Sequence, residues 1–313
     1  MMNQSTKKVV ISGILLLDKP ADISSHSALA KAKYLYQSEL YDSKKAGHTG
    51  TLDPMATGLL PICFGEATKF AQYGLNADKS YVALLSLGVK TDTADRYGQV
   101  IQRTDAPSFN QQTLDGIANA LIGKQMQVPP MYSALKKDGK KLYEYARLGE
   151  VVERDARPII IHNLTLTKLD NTTIKLIVSC SKGTYVRVLG ESVAEHLDCV
   201  GHLIALHRTC TGGFDVADAI SLGELANSSL DERLGRLLPI DVMLGHLPML
   251  RLTTDEAARI KMGQRLNVKD RLDSLLEFDD VLLVRLYAQD VFIGLAEVSK
   301  SGRLQPIKVV HCY

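Results

Sequence analysis

Residues 13–17 form a short apolar run that stops at Asp18-Lys19-Pro20, the pattern of a strand ended by a turn. Ser24 or Ser25 can cap a helix after it, and Leu29, Ala32, Lys33 and Tyr36 recur at i, i+3, i+4 and i+7, which predicts helix through Tyr36. Periodicity then disappears. From Asp42 to Gly58 the chain is punctuated by Gly47, Gly50, Pro54 and Gly58 and reads as one long structured loop. Residues 81–87 read as an aliphatic strand closed by Gly88, and Leu114, Ile117, Ala118 and Leu121 give one helical face before Gly123. Two strands are expected at 164–169 and 173–180 around Asp170-Asn171-Thr172, because Ile174, Leu176, Val178 and Cys180 alternate between faces. Val186, Leu189, Gly190, Val193, Ala194 and Leu197 line one side of a further helix. Beyond Pro239 and Pro248, residues 281–287 and 291–297 flank Ala288-Gln289-Asp290 as a hairpin, with a last strand near 307–310. The mixture has no regular βαβ repeat and predicts an α+β fold. A boundary within 239–248 would set off a small β-rich unit of about 65 residues.

Composition narrows the class. Of 313 residues, 45% are hydrophobic and 23% charged, which fits a packed core and excludes a disordered or fibrous chain. The 37 basic and 35 acidic residues leave a net charge of only +2, so a nucleic-acid surface must come from local segregation of charge. Residues 131–149 carry Lys136, Lys137, Lys140, Lys141 and Arg147 against Asp138 and Glu144, while 214–247 carry six acids against Arg233 and Arg236. The basic stretch, opened by Pro129-Pro130, is either an RNA contact or a solvated loop. No apolar run approaches the roughly 20 residues of a membrane helix. Residues 1–8 are polar and lack a signal core, so a cytoplasmic protein is expected. The five cysteines (Cys63, Cys180, Cys199, Cys210, Cys312) include no C-x-x-C pair, which favours buried free thiols over disulfides or zinc.

Familiar site signatures are missing: no G-x-G-x-x-G after a strand, no P-loop, no H-E-x-x-H and no G-x-S-x-G. What remains is the loop Gly47-His48-Thr49-Gly50-Thr51-Leu52-Asp53-Pro54-Met55-Ala56-Thr57-Gly58. Asp53 before Pro54 is held out of the helical region, and the glycines allow backbone to approach a ligand closely. Such an acid can act on a substrate. Spacing alone favours the other reading, a cap on a helix that begins at Pro54, a favoured first helical residue. On its own, His48 reads as a hydrogen-bonded loop residue.

That loop resembles the signature of the bacterial tRNA pseudouridine-55 synthases, the TruB family. The resemblance begins at Gly13-Ile14-Leu15-Leu16-Leu17-Asp18-Lys19-Pro20 and continues through Pro61-Ile62-Cys63-Phe64-Gly65-Glu66-Ala67-Thr68-Lys69, Asp78-Lys79-Ser80-Tyr81 and Thr91-Asp92-Thr93-Ala94-Asp95. Pro129-Pro130-Met131-Tyr132-Ser133-Ala134-Leu135-Lys136, Gly139-Lys140-Lys141-Leu142-Tyr143 and Cys180-Ser181-Lys182-Gly183-Thr184-Tyr185-Val186-Arg187 follow in the same order. Two departures stand out: Ser192-Val193-Ala194 where the family has Asp-Leu-Gly, and His207-Arg208 where it often has paired arginines.

The resemblance implies a pseudouridine-synthase-type mixed, largely antiparallel sheet over residues 10–245 and a small C-terminal PUA-like β-barrel over 246–313. It implies isomerisation of uridine-55 in the TΨC loop of tRNA, with no metal or organic cofactor, in a monomer that needs no protein partner. Asp53 takes the catalytic carboxylate's place, Arg187 its guanidinium partner's, and Tyr81 that of the tyrosine stacked on the base. Tyr185 resembles a second aromatic wall, Leu206 an apolar contact, and His48 the residue that fills the space a flipped nucleotide leaves. Lys19, Pro20 and the 136–141 loop would line the RNA-facing cleft and meet phosphates. By spacing alone the aromatics read as core, while Arg187 reads equally as a sheet-surface residue or as a carboxylate's partner. Two rival readings remain at this level: a tRNA-folding protein whose catalysis is lost or secondary, and a relative that takes its target from a guide RNA.

Overall fold

A computed structural model describes residues 8–275 and 278–311; Cys312 and most of the polar N-terminus lie outside them. The described residues form a ten-stranded mixed sheet. Its main path runs Ile220–Ser221, Gly13–Lys19, Thr57–Phe64, Gly201–Thr211, Lys79–Leu87, Thr173–Cys180, Arg157–Lys168 and Gly123–Gln127. Most pairings are antiparallel. The exceptions are the edge pair 220–17 and the meeting of Thr57 and Gly58 with His207 and Arg208. The α+β expectation therefore holds.

Local chemistry explains the elements. The Ser24 side chain accepts from Ser27 N and starts the helix Ser25–Tyr36, whose Ala28, Leu29, Ala32 and Tyr36 are buried; Tyr36 packs on Phe64 with ring centroids 5.0 Å apart. Asn110 caps the helix Gln111–Leu121, and Leu114, Ile117, Ala118 and Leu121 are its buried face. The helix Val186–Glu195 turns Leu189, Val193 and Ala194 into the same core as Leu85 and Leu203. The family departure at Ser192-Val193-Ala194 thus keeps two of its three side chains in the packed interior.

The expected long loop is shorter and more ordered than its pattern predicts. A strand Ala46–His48 pairs with Thr57–Phe64, which is itself buried along nearly its whole length. The helix start at Pro54 does not exist. Ala56 N instead donates to Asp53 O at 3.0 Å, which closes a turn across Pro54 and Met55. The basic stretch is also built: Lys136–Lys137 and Lys140–Lys141 form a hairpin, followed by the short helix Leu142–Ala146.

The C-terminal residues make a separate five-stranded sheet in the order Met249–Leu252, Val281–Ala288, Val291–Ser299, Arg303–Val309, Leu266–Asn267. The expected hairpin is there, its turn narrowed to Gln289-Asp290. A helix Thr254–Lys261, closed by a reciprocal capping box between Thr253 and Glu256, covers it. An apolar seam joins this sheet to the larger one: Ile14, Leu16, Leu59, Phe70, Met243, Leu244, Leu295 and Val310 form one buried cluster. Phe70 meets Phe292 edge-on at 5.4 Å.

Candidate active site

Asp53 sits on the 49–56 crossing, which is fixed by bonds to its backbone. Ser25 Oγ donates to Leu52 O (2.9 Å) and accepts from Leu52 N (2.8 Å), and Asp22 N donates to Pro54 O (2.8 Å). Lys19 completes the hold. It has no exposed surface, and its ammonium donates to Pro20 O and Ile23 O at 2.8 Å and to Pro54 O at 3.3 Å. This corrects the expectation that Lys19 meets phosphate. An ammonium has three donors, and backbone takes all three. Burial lowers its pKa to about 8, with the charge of Asp53 resisting that change. Pro20 is exposed at the same turn.

With the loop held by backbone bonds, the Asp53 carboxylate is left for Arg187. The guanidinium lies side-on to it, Nε 2.8 Å from Oδ2 and Nη2 3.2 Å from Oδ1. Arg187 is 2% exposed, at the first turn of its helix, and spends its other donors on Thr93 O (2.6 Å) and Tyr132 O (2.8 Å). A planar fork suits this work: it meets a carboxylate and two carbonyls from one rigid group. The Asp53 side chain keeps 31% of its surface exposed. Burial pushes its carboxyl above the ordinary aspartate value; Arg187 opposes this, and Asp95 reinforces it.

Asp95 is the second carboxylate here, 3.9 Å from Arg187 Nη1. Its Oδ1 accepts from Thr93 Oγ1 (2.7 Å) and Tyr97 N (3.0 Å), so it shapes the loop that presents Thr93 O. Asp53 is then the more open carboxylate of this pair, its side chain 31% exposed against 9% for Asp95.

Two phenols and an aliphatic side chain expected at the site are buried or half-buried on neighbouring elements. Tyr81, 7% exposed, lies on the Lys79–Leu87 strand, and Leu206, 6% exposed, lies on the neighbouring strand opposite Ala83. Tyr185 precedes the Arg187 helix; its N–H donates to Gln127 Oε1 (2.8 Å), while Gln127 Nε2 donates to Tyr185 O (3.2 Å). Burial raises both phenols, and the Asp53 charge raises them further. Both are neutral donors at physiological pH, and all three groups share one field. His48 is half-buried, its Nδ1 accepts from Gly50 N at 3.4 Å, and burial together with Arg208 and His26 lowers its pKa. The neutral ring then carries its proton on Nε2.

The basic arm lies beyond this centre. Lys140 rests over the Tyr145 ring at 4.4 Å, and Lys141 and Arg147 lie over Tyr143 at 5.5 and 5.3 Å. The departure at His207 is accommodated locally, its Nδ1 2.8 Å from Thr57 Oγ1. Among the described residues no group of three or more His, Cys, Asp or Glu is placed to hold a metal ion. No described helix is long and apolar enough to cross a membrane. The sequence assigns no role to Asp95, Gln127 or Arg208. Asp95 stands inside one of the family motifs, whereas nothing in the sequence pattern marks Gln127.

One cleft-facing carboxylate, held ionisable by a buried guanidinium and flanked by phenols on a mixed sheet, suits glycosidic-bond exchange better than hydrolysis, which uses two carboxylates to manage a water. Comparison supplies the class. Residues 38–186 match the N-terminal domain of TruB family pseudouridylate synthases, and residues 248–310 match the C-terminal domain of pseudouridine synthase II TruB. A tRNA pseudouridine synthase B from Psychrobacter cryohalolentis is 45% identical over 97% of this chain and 95% of its own. The one from Neisseria meningitidis serogroup A is 44% identical over 99% and 98%. A chain of a Cbf5–Nop10–Gar1 complex shares the fold with a TM-score of 0.71 at 21% identity, covering 99% of this chain and 90% of that one. The chain belongs to the TruB family of pseudouridine synthases, and its curled C-terminal sheet is of the PUA-like kind.

Proposed function

We propose that this chain converts uridine-55 in the TΨC loop of tRNA to pseudouridine, with the reaction centred on Asp53. The reaction breaks the C1′–N1 bond, rotates the uracil and joins C1′ to C5. N1 gains a proton and C5 loses one, so no water, redox change or nucleotide energy source is consumed. Asp53 starts it as the anion, by attack on C1′ or by taking the C2′ proton. Arg187 keeps that anion available in a site whose burial works against it. Tyr81 and Tyr185 bracket the uracil, and Tyr81, a neutral phenol, hands on a proton only when a partner accepts its own. Leu206 closes the apolar side. His48 enters the space the nucleotide vacates when it flips, a step that costs a few kcal/mol of unstacking. Pro20 and the 136–147 arm line the RNA side, where the lysines meet phosphate.

The further parts of this reading are a division into residues 10–245 and 246–313, a monomer, and a place in the cytoplasm. The side-on pairing of Asp53 with Arg187, 2.8 and 3.2 Å across the cleft floor, carries the reading.

The test is tritium release from a tRNA transcript labelled at uracil C5, comparing this protein with Asp53→Asn. Release from position 55 that falls at least about 10³-fold in the variant, while tRNA affinity persists, is the expected result. No release from folded wild-type protein that binds the tRNA would overturn the enzymatic reading and leave a tRNA-folding protein.

A further inference from the structure

Arg208 is 1% exposed and among the largest fully buried side chains. It lies at the point where the strand bearing Tyr81 and the strand following Asp53 flank the same neighbour. Its register partner is Tyr81 on one side and Gly58 on the other. The second approach is so close that a Cβ at Gly58 (φ +99°) would fall 2.3 Å from Arg208 O. From there the guanidinium reaches both ends of the segment that carries Asp53: Nε donates to Leu59 O at 2.7 Å, and Nη2 donates to Gly50 O at 3.2 Å. Tyr81 is its cross-strand neighbour, and the Arg208 charge acts on the phenol against the effect of burial.

This is an expensive way to fill a core. Lys19, Lys79 and His48 all feel the Arg208 charge, and burying like charges near one another is unfavourable unless something is gained. Two carbonyls alone could be satisfied by neutral donors. What a neutral side chain cannot do is reach Gly50 O and Leu59 O from the two edges of one rigid planar group.

We propose that Arg208 is a positioning residue for the isomerisation: one buried guanidinium, on the strand paired in register with Tyr81, ties together both ends of the Asp53 segment and so fixes the carboxylate relative to the strand that carries the phenol while the nucleotide enters. The assignment rests on the pseudouridine-synthase reading above and adds to it the group that sets the geometry of its two reacting side chains. Arg208 touches no substrate. It acts through Gly50 and Leu59.

Single-turnover tritium release, tRNA affinity and thermal midpoint are measured for wild type, Arg208→Lys, Arg208→Gln and Arg208→Ala. Arg208→Lys keeps the charge and loses the fork, so its single-turnover rate falls by about 10²-fold, the scale of a misplacement near 1 Å, with tRNA affinity within about threefold of wild type. Guanidinium ion, and not sodium at equal ionic strength, restores rate to Arg208→Ala. A core-filling role would lower the thermal midpoint and leave the rate of the folded fraction unchanged. An active wild type beside an equally fast Arg208→Lys, or a rate loss explained by affinity alone, overturns the proposal and leaves the functional reading intact. A folded, tRNA-binding wild type that releases no tritium overturns both. If Arg208→Lys does not fold, Arg208→Gln takes its place under the same criteria.

Discussion

Lys19 and Lys140 carry the same charge, and the sequence assigned both to the RNA side of one cleft. The structure separates them. Lys19 has no exposed surface and gives its donors to three backbone carbonyls around Asp53, whereas Lys140 lies over the Tyr145 ring in a short hairpin. Arg187 and Arg208 fall with Lys19: both are buried, and both spend donors on backbone carbonyls. Lys141 and Arg147 fall with Lys140, stacked on Tyr143. A cation with its donors consumed shapes the chain, and one leaning on an aromatic face keeps its donors for a ligand. Counting charge along the sequence cannot tell the two apart, because the difference is burial.

The buried set is broken hardest at Arg187. Arg187→Met leaves Asp53 without its guanidinium and Thr93 O and Tyr132 O without their donors. The single-turnover rate is expected to fall about 10²–10³-fold, as for loss of a group that stabilises charge in a dry site. The acid limb also moves. Burial already holds the Asp53 carboxyl high and Arg187 pulls it down, so removing Arg187 raises it further and the reactive anion forms only at higher pH. A pH–rate profile whose acid limb stays in place would show that Arg187 does not set the ionisation of Asp53.

Lys19→Met comes next and acts on the fold. Three backbone carbonyls lose their donor, which costs about 2 kcal/mol after the relief of removing a buried charge, measured by urea unfolding. The decisive readout is the salt dependence of tRNA affinity, which stays as in wild type. A slope lower by about one would mean that Lys19 neutralises a phosphate, and the comparison would fail.

Much of this molecule was legible before its structure. The helix Ser25–Tyr36 carried its Ser24 cap and its apolar face in the sequence, and the strand Thr173–Cys180 alternated cleanly. Two central strands were not legible, for physical reasons. Thr57–Phe64 is buried on both faces, so it has no alternation to show, and Pro61 and Gly58 imitate loop punctuation. Gly201–Thr211 has register shifts at 203/205 and 208/210, which break its period. The helix Thr254–Lys261 was missed although its Thr253…Glu256 capping box was in view. At the site, the position of Asp53 could be argued from its loop, but its partner stands 134 residues away. Only the family resemblance joined them. Asp95 and Gln127 act through bonds that no local pattern encodes.

The aromatic-backed set yields a smaller effect of a different kind. Replacing Lys140 and Lys141 by alanine should reduce the slope of log affinity against log salt by about two, one for each phosphate no longer neutralised. Turnover at saturating tRNA stays at the wild-type level, since neither side chain touches the cleft floor. Loss of turnover without a change of slope would move the arm into the class of Lys19.

Lys69 tests whether the two classes have a middle term. Its side chain is 28% exposed, and it divides its donors between Glu66 Oε2 (2.6 Å) and Val309 O (2.8 Å), across the seam between the two sheets. Glu66 also accepts from His311 N at 2.9 Å and pairs with Lys45 at 3.3 Å. Burial pushes the Glu66 carboxyl up, but the bonds from Lys69, His311 and Lys45 outweigh it and hold the group below its usual 4.5. A depressed carboxylate stabilises the fold fully above its unfolded pKa and loses that contribution as pH falls through the folded value. Glu66→Gln should therefore cost about 1 kcal/mol at pH 7, and the gap from wild type should close as the pH drops below 4.5. The salt slope for tRNA should not change, because Lys69 serves the seam. If instead the slope rises in Glu66→Gln, Lys69 has been freed to reach phosphate, and partial exposure is enough to place a cation among the RNA-facing ones.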